Sequence, residues 1–310
     1  MRRWNMRGLF FAGLLCAAAN CWADERATAG PVAARVNGEA VLGAEVQAEF
    51  RAAYGERQFS DVDRQRLMRA ALDQVIDRRL VQAYLVKSGQ AASKEDVGLA
   101  LAQFEKELKA QNLTLAQHCE RVGMTPDDVR RALAWKQSWK RYCEKYLTPQ
   151  NLEKYFERNR REFDGTQLRV AQILFKLPAD ADEAATSAAR QRASQLKQTI
   201  AAGKLSFADA AKQHSEAPSR DAGGDIGWIE RHRPMTEDFS KIAFALKKGE
   251  ISEPLLSPFG VHLVTVLEEK PGAKTWRDVE TELRPAVTLY LFRWVADKER
   301  SAAKVEYVTP

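Results

Sequence analysis

The chain has 310 residues, of which 45% are hydrophobic and 29% charged, and its formal net charge is +6. This length accommodates two or three domains, each able to bury a core. The weak positive balance excludes a dedicated nucleic-acid binder, and no stretch beyond the N-terminus reaches the roughly 18 apolar residues of a membrane span.

Residues 1–23 read as a secretory leader. Arg2, Arg3 and Arg7 give a basic start, LFFAGLLCAAA is an apolar core too short to cross a bilayer, and Cys-Trp-Ala at 21–23 is a small-x-small site. Cleavage is expected after Ala23, and the mature protein outside the cytoplasm. Lipidation at Cys16 or Cys21 is the alternative, although Leu15 and Asn20 stand where a lipobox wants a small residue. The leader takes three arginines and no acid with it, so +6 becomes +3. That charge favours solubility and a weak attraction to acidic chains or membrane surfaces.

Residues 32–36 form a strand candidate, Asn37-Gly38 a tight turn, and Leu42 starts a helix. From 61 to 163 the pattern is almost wholly helical, with Leu67, Ala71, Val75, Ile76 and Leu80 at helical spacing. Ser93 with Asp96 reads as a capping box. Thr114 opens a short helix, Thr125-Pro126 a long one, and Thr148-Pro149 another over residues 149–163, with proline at the first helical position in the last two. Trp135, Trp139, Tyr142 and Tyr146 recur every three or four residues. They are a packing stripe or, if exposed, a client-binding surface. Cys119 and Cys143 are the cysteines left after leader removal; they form one disulfide in an oxidising compartment or remain two buried thiols.

LRVAQILFKL, from Leu168, has the length and β-branched content of a buried strand. Residues 182–202 read as an amphipathic helix ended by Gly203, and Ser206 caps a second, short helix. The loop SEAPSRDAGGDIGWI follows, where adjacent Gly223 and Gly224 indicate backbone angles closed to side chains. MTEDFSKIAFALKKGE reads as a third helix, capped by Thr236 and stopped at Gly249. ISEPLLSPFGVHLVTVLEEK is a turn leading into an apolar strand. Last, residues 276–303 are an amphipathic helix with Val279, Leu283, Val287, Tyr290, Leu291 and Trp294 on its stripe. Pro285 should kink or break it near Leu283. KVEYV is a terminal strand candidate.

The signatures AQILF, SFADAAKQHS, GGDIGW, MTEDF, AFALKKGEIS and FGVHLV stand in the order and close to the spacing of the parvulin family of peptidyl-prolyl isomerases, which residues 166–271 resemble. Residues 24–165 resemble the helical domain of SurA- and PrsA-type extracytoplasmic chaperones, through VNGE, the helical run and TLAQHCERVGMTPDDVR. The resemblance implies an α+β fold: a helical N-terminal domain, a parvulin domain with a small antiparallel sheet flanked by helices, and a tail, 272–310, that returns to the N-terminal domain and pairs its last strand with the NGE hairpin.

The resemblance also implies site residues. His262 matches the second histidine of the family's pair. Gln172 stands where the first histidine belongs. Ala217 takes the loop position of an Asp or Cys, and a one-residue shift would put Glu216 there. Ser257 matches a hydroxyl residue before the second histidine. Met235 and Phe239 match the proline pocket, with Ile226 and Phe259 as further apolar lining. The binding set is largely kept and the polar set depleted. Each residue also has a plainer reading: His262 and Gln172 as hydrogen-bonded core groups, Glu216 as a solvated loop carboxylate, Met235 and Phe239 as core.

Two functions stay open from the sequence. One is a folding factor that binds unfolded or proline-containing polypeptides, among them secreted and outer-membrane proteins, and isomerises X–Pro bonds. The other is a chaperone whose isomerase-like domain only binds peptide. Scaffolding in an envelope complex has no feature of its own here. Neither reading needs a cofactor; His118, His214 and His232 are isolated and lack zinc-ligand spacing. A homodimer stays open.

Overall fold

The computed structural model describes residues 31–308, apart from 56, 58, 60, 123, 179 and 180 and the side chain of 62. The leader expected at 1–23 lies outside the described residues. The chain divides into two compact units, Met1–Thr148 with Ala286–Pro310, and Pro149–Pro285.

In the first unit, β1 (Val32–Val36) and β2 (Glu39–Leu42) form an antiparallel hairpin. Its turn uses Asn37 at φ 52° and Gly38 at φ 90°, the left-handed region that Asn and Gly tolerate best. Then come α1 (Gly43–Tyr54), α2 (Asp61–Lys87), α3 (Lys94–Ala110), α4 (Leu115–Val122) and α5 (Pro126–Tyr146). Their starts are set by local chemistry. The Asp96 amide donates to Ser93 Oγ and the Ser93 amide to Asp96 Oδ2; Thr125 and Asp128 repeat the exchange ahead of Pro126. Val36, Val41, Val46, Phe50, Ala71, Val75, Ile76 and Leu80 bury one core between hairpin and helices.

The chain's end completes this unit. β7 (Val305–Tyr307) pairs antiparallel with β1, with Arg35 opposite Glu306, so the sheet order is β2-β1-β7. Helix α11 (Glu280–Arg300) carries Val295 and Ala296 into a second core with Val81, Leu85, Trp135, Trp139, Tyr142 and Cys143. Trp135 and Trp139 stack 5.9 Å apart at 3°, and Phe292 meets both edge-on. The aromatic stripe is therefore packing and not an exposed client surface. Arg300 anchors the same helix on Asp77, with Nε at 3.0 Å from Oδ1.

Three expectations are narrowed or changed here. Of the kink or break expected at Pro285, the break near Leu283 does not occur: Glu280–Arg300 is one helix, because a proline one turn from the start deprives only the Thr281 carbonyl of its helical donor. Tyr290 and Trp294, placed on the buried stripe from their spacing, are 45% and 46% exposed, and Val295 and Ala296 take the inner face instead. The cysteines are free and buried. Cys119 packs with Val129 and Leu133, and Cys143 with the tryptophans. Leu133 and Cys143 are about 15 Å apart along one helix, more than twice the ~7 Å reach of a disulfide between Cα atoms.

In the second unit, α6 (Pro149–Arg158) and α7 (Arg160–Phe163) break at Asn159, where one helix is expected from the sequence. The rest is β3 (Gln167–Lys176), α8 (Glu183–Ala201), α9 (Phe207–His214), β4 (Asp225–Glu230), α10 (Glu237–Ala245), β5 (Leu255–Ser257) and β6 (Gly260–Lys270). The strands make one antiparallel sheet in the order β4-β3-β6-β5. Ile173, Phe175, Val261 and Leu263 face α8 and α9, against Ala189, Ala193, Leu196, Ala210 and Ala211. The alternate residues Leu168, Val170, Val264 and Val266 face α10, against Phe239, Ala243 and Phe244. Both faces are covered, so both strands read as near-continuous apolar runs.

Helix α10 stops at Ala245, four residues short of Gly249. The Gly249 amide donates to the Val266 carbonyl at 2.8 Å and Lys248 bridges Val266, so the chain leaves the helix to pair with β6. The glycine loop is as tight as the sequence indicates. Gly223 and Gly224 lie at φ 68° and 84°, and a Cβ on Gly224 would stand 2.4 Å from the Gln172 carbonyl oxygen.

Candidate functional site

The site is built on the α10 face of the sheet. His262 on β6 lies opposite Leu174 on β3 and Leu255 on β5. Gln172, two residues before Leu174, comes to the same face because strand side chains alternate. The resulting network has three side chains. His262 Nδ1 is 2.9 Å from Gln172 Oε1, His262 Nε2 is 2.6 Å from Ser257 Oγ, and the Phe259 amide donates to Ser257 Oγ at 3.0 Å. The turn at residues 257–260 explains the last contact: Ser257 pairs with Gly260 at the β5–β6 corner, which folds Phe259's N–H back on the hydroxyl.

Phe239 on α10 is buried, and its ring meets His262 edge to face, 6.1 Å between centroids. Met235 and Ile226 pack on the same apolar cluster as Phe239 and stay half-buried. A wall of apolar side chains thus borders a polar network, the composition typical of a small binding cleft.

Phe259 and Glu216 sit differently. Phe259 is 64% exposed and contributes to the network through its backbone. Glu216 belongs to the edge of β3. Beyond Ala171, β4 no longer pairs with β3, and the loop 215–224 takes over. The Gln172 amide donates to Gly224 O, the Glu216 amide to Leu174 O, the Leu174 amide to Ser215 Oγ, and the Lys176 amide to Glu216 Oε2 at 3.0 Å. The carboxylate answers a strand-edge N–H that would otherwise lack a partner. Ala217 is buried beside it, its amide on Ser215 Oγ. Ser215, buried and bonded to both segments, ties this loop to β3. Sequence reading passed over it, and a serine directly after a helix end was the one signal available.

Burial fixes the electrostatics. Desolvation depresses the His262 pKa to about 4, and among the described residues no charged group offsets it. At neutral pH the imidazole carries no charge. At the first turn of α10, Glu237 is held at about 2 by hydrogen bonding to His232, with Arg231 adding to the effect. No described residues group three or more His, Cys, Asp or Glu side chains as a metal site would require.

The His262 shift predicts a pH dependence of stability. Above pH 6.5 the ring is neutral whether the domain is folded or not, and contributes nothing. As pH falls from 6.5 to about 4 the unfolded chain takes up a proton that the folded domain refuses, so stability drops, by about 3 kcal/mol at most. Glu237 acts lower, its contribution being lost only below the ordinary carboxylate range. Urea midpoints measured between pH 7 and 5 should fall for the native protein and stay level for His262→Asn. Equal slopes in the two proteins would show that His262 titrates freely when folded.

Both halves of the chain resemble known proteins. Residues 173–268 match the model of the PPIC-type PPIASE domain and residues 7–140 that of the SurA-like N-terminal domain. A Chaperone SurA from Methylococcus capsulatus is 24% identical over 286 residues, 84% of this chain and 60% of that protein. The Foldase protein PrsA of Bacillus subtilis is 40% identical over 81 residues, 26% of this chain and 27% of that one. The crystal structure of a peptidylprolyl isomerase (PrsA) from Bacillus anthracis shares 19% identity, covers 74% of this chain and 96% of its own, and superposes with a TM-score of 0.38. The chain spans less than two thirds of the length of these curated relatives.

The match over residues 173–268 identifies a parvulin-type peptidyl-prolyl isomerase domain in the part of the chain that forms the four-stranded antiparallel sheet. Joined to a SurA-like N-terminal domain, it makes the chain a homologue of the SurA chaperones and the PrsA foldases.

Proposed function

We propose that the chain is an extracytoplasmic folding factor that binds unfolded, proline-containing polypeptides and isomerises X–Pro bonds at a modest rate. The observation that carries this reading is the Phe239–His262 contact, an apolar wall joined to an intact Ser257–His262–Gln172 network. Rotation about an X–Pro bond crosses a barrier of roughly 18–20 kcal/mol while cis and trans differ by about 0.5–1 kcal/mol, so no energy input is needed. The enzyme must bind the twisted amide better than either planar form. An apolar grip on the ring excludes water, and fixed polar groups act on the twisting bond. The basic leader at 1–23 supports export, and no described helix is long and apolar enough to cross a membrane. The chemistry calls for neither metal nor cofactor.

A second reading has its own observation. Glu216 Oε2 accepts from the Lys176 amide and Ala217 has no polar group, so the loop position matched to the family's Asp or Cys carries no polar side chain. That favours a peptide-binding chaperone with a catalytically depleted isomerase domain. Residues 24–310 assayed side by side for proline-peptide isomerisation and for suppression of aggregation should show both activities. Aggregation suppression with no turnover above background would select the second reading, and neither activity would defeat both.

A further inference from the structure

We propose that Gln172 presents its side-chain NH2 to the bound X–Pro segment as a hydrogen-bond donor, and that Ser257 and His262 are positioning residues that decide which end of the Gln172 amide faces the peptide. The role in turnover rests on the isomerase reading above; the direction of the network rests on geometry alone.

The direction follows by counting protons. The Phe259 N–H donates to Ser257 Oγ at 3.0 Å, which fixes one end of the chain. Among the described residues the Ser257 hydroxyl proton has a single acceptor, His262 Nε2 at 2.6 Å. Nε2 is then without a proton, and a neutral imidazole carries its hydrogen on Nδ1. That hydrogen points at Gln172 Oε1, 2.9 Å away. The amide oxygen is thereby held on the histidine and the NH2 is turned away from it. Gln172 Nε2 has no partner among the described residues, and the side chain is half-buried on the sheet face that carries Met235, Phe239 and Ile226. The reverse order, with the proton on Nε2, would give Ser257 Oγ two donors, the ring and the Phe259 amide, and leave the hydroxyl proton of this half-buried serine no acceptor among the described residues. It would also turn the glutamine oxygen outward.

A donor is what this substrate can use. A prolyl nitrogen has no N–H, so an acceptor facing it would find nothing to bind. In the planar amide the nitrogen lone pair is delocalised into the carbonyl. As the C–N bond twists, the pair localises on nitrogen and becomes an acceptor. A donor fixed beside it stabilises the twisted state and leaves both planar forms as they were, the differential binding that raises turnover. A donor on the carbonyl oxygen would hold the planar forms at least as well, and would tighten binding without accelerating rotation. The depleted site of the first histidine therefore keeps one polar function, supplied by an amide locked in one orientation.

The test uses residues 24–310 labelled with nitrogen-15, and a short X–Pro peptide. At pH 7 the His262 ring should show a bare Nε2 and a protonated Nδ1, and the Gln172 NH2 resonances should shift on saturation with peptide. Gln172→Met, which keeps the length and removes the donor, should lower kcat about tenfold while peptide affinity stays within about twofold. Gln172→Glu should show the same loss of kcat, and its new carboxylate at Nδ1 should move the titration of His262 upward. A proton on Nε2, an NH2 resonance indifferent to peptide, or full turnover in Gln172→Met would overturn the proposal. If the native protein binds the peptide and does not turn it over, the isomerase reading falls by itself, and the ring tautomer with the NH2 response still decides whether Gln172 is the donor.

Discussion

Removal of residues 286–310 should unfold the first unit. The deleted stretch supplies Val295 and Ala296 to the core around Trp135, Trp139 and Tyr142, with Leu291 and Phe292 packed against it. Burying a Leu, Val or Phe side chain contributes about 1.5–3 kcal/mol. Three such side chains approach the ~5–15 kcal/mol by which whole domains are stable. The deletion also strips β1 of its β7 partner and removes Arg300 from Asp77, leaving a carboxylate whose pKa burial already raises. Thermal melts followed by circular dichroism should show the truncated chain losing a helical transition that the full-length chain has. Residues Pro149–Pro285 have their own cores and should keep a separate transition. A truncated chain that melts like the native one would show that the first unit closes without its C-terminal tail.

The features readable from sequence were those fixed by neighbouring residues. Ser93 with Asp96 and Thr125 with Asp128 announce helix starts because the capping exchange spans three residues. Asn37-Gly38 and Gly223-Gly224 announce turns because few residues tolerate positive φ. The misreadings arose where a distant segment decided. Helix α10 ends at Ala245 because β6 offers hydrogen bonds to residues 248 and 249, and nothing local marks that stop. Tyr290 and Trp294 fit the apolar stripe by spacing, yet the inner face of α11 is the one that reaches the tryptophans of α5. The cysteine pair failed on length: helix geometry separates two clusters that the sequence brings within 24 residues.

The candidate site divides along the same line. The membership of His262, Gln172 and Ser257 in one network was expected from their resemblance to family positions, and the strands bring the three together. The proton order within that network depends on the Phe259 amide, a backbone group with no sequence signature. Glu216 shows the converse. A carboxylate one residue from a family position looks like a substitute catalyst, whereas the register of β3 against the loop places it on the Lys176 N–H. Strand-edge bonding is invisible until β4 is seen to stop pairing at Ala171.

Phe239→Ala and Met235→Ala should separate the apolar wall's two roles. Phe239 is only 3% exposed, in contact with the cluster of Leu168, Val170 and Val264, and its ring meets His262. Truncating it leaves a cavity, at a cost of about 3–5 kcal/mol, and removes the surface that a prolyl ring would pack on. Met235 is half-buried, so its truncation removes less core and more of the open wall. Phe239→Ala should therefore lower the denaturation midpoint of the isomerase domain sharply and weaken peptide binding. Met235→Ala should weaken binding about tenfold with a midpoint shift corresponding to no more than ~2 kcal/mol, since less of the side chain is buried. Calorimetric titration of an X–Pro peptide at a temperature where both variants remain folded gives the affinities, and urea denaturation gives the stabilities. A Met235→Ala variant that binds the peptide as the native protein does would move the peptide off this face of the sheet. Isomerase turnover surviving Phe239→Ala at full rate would do the same, because a ring that supports His262 cannot be lost without disturbing the network that acts on the twisting bond.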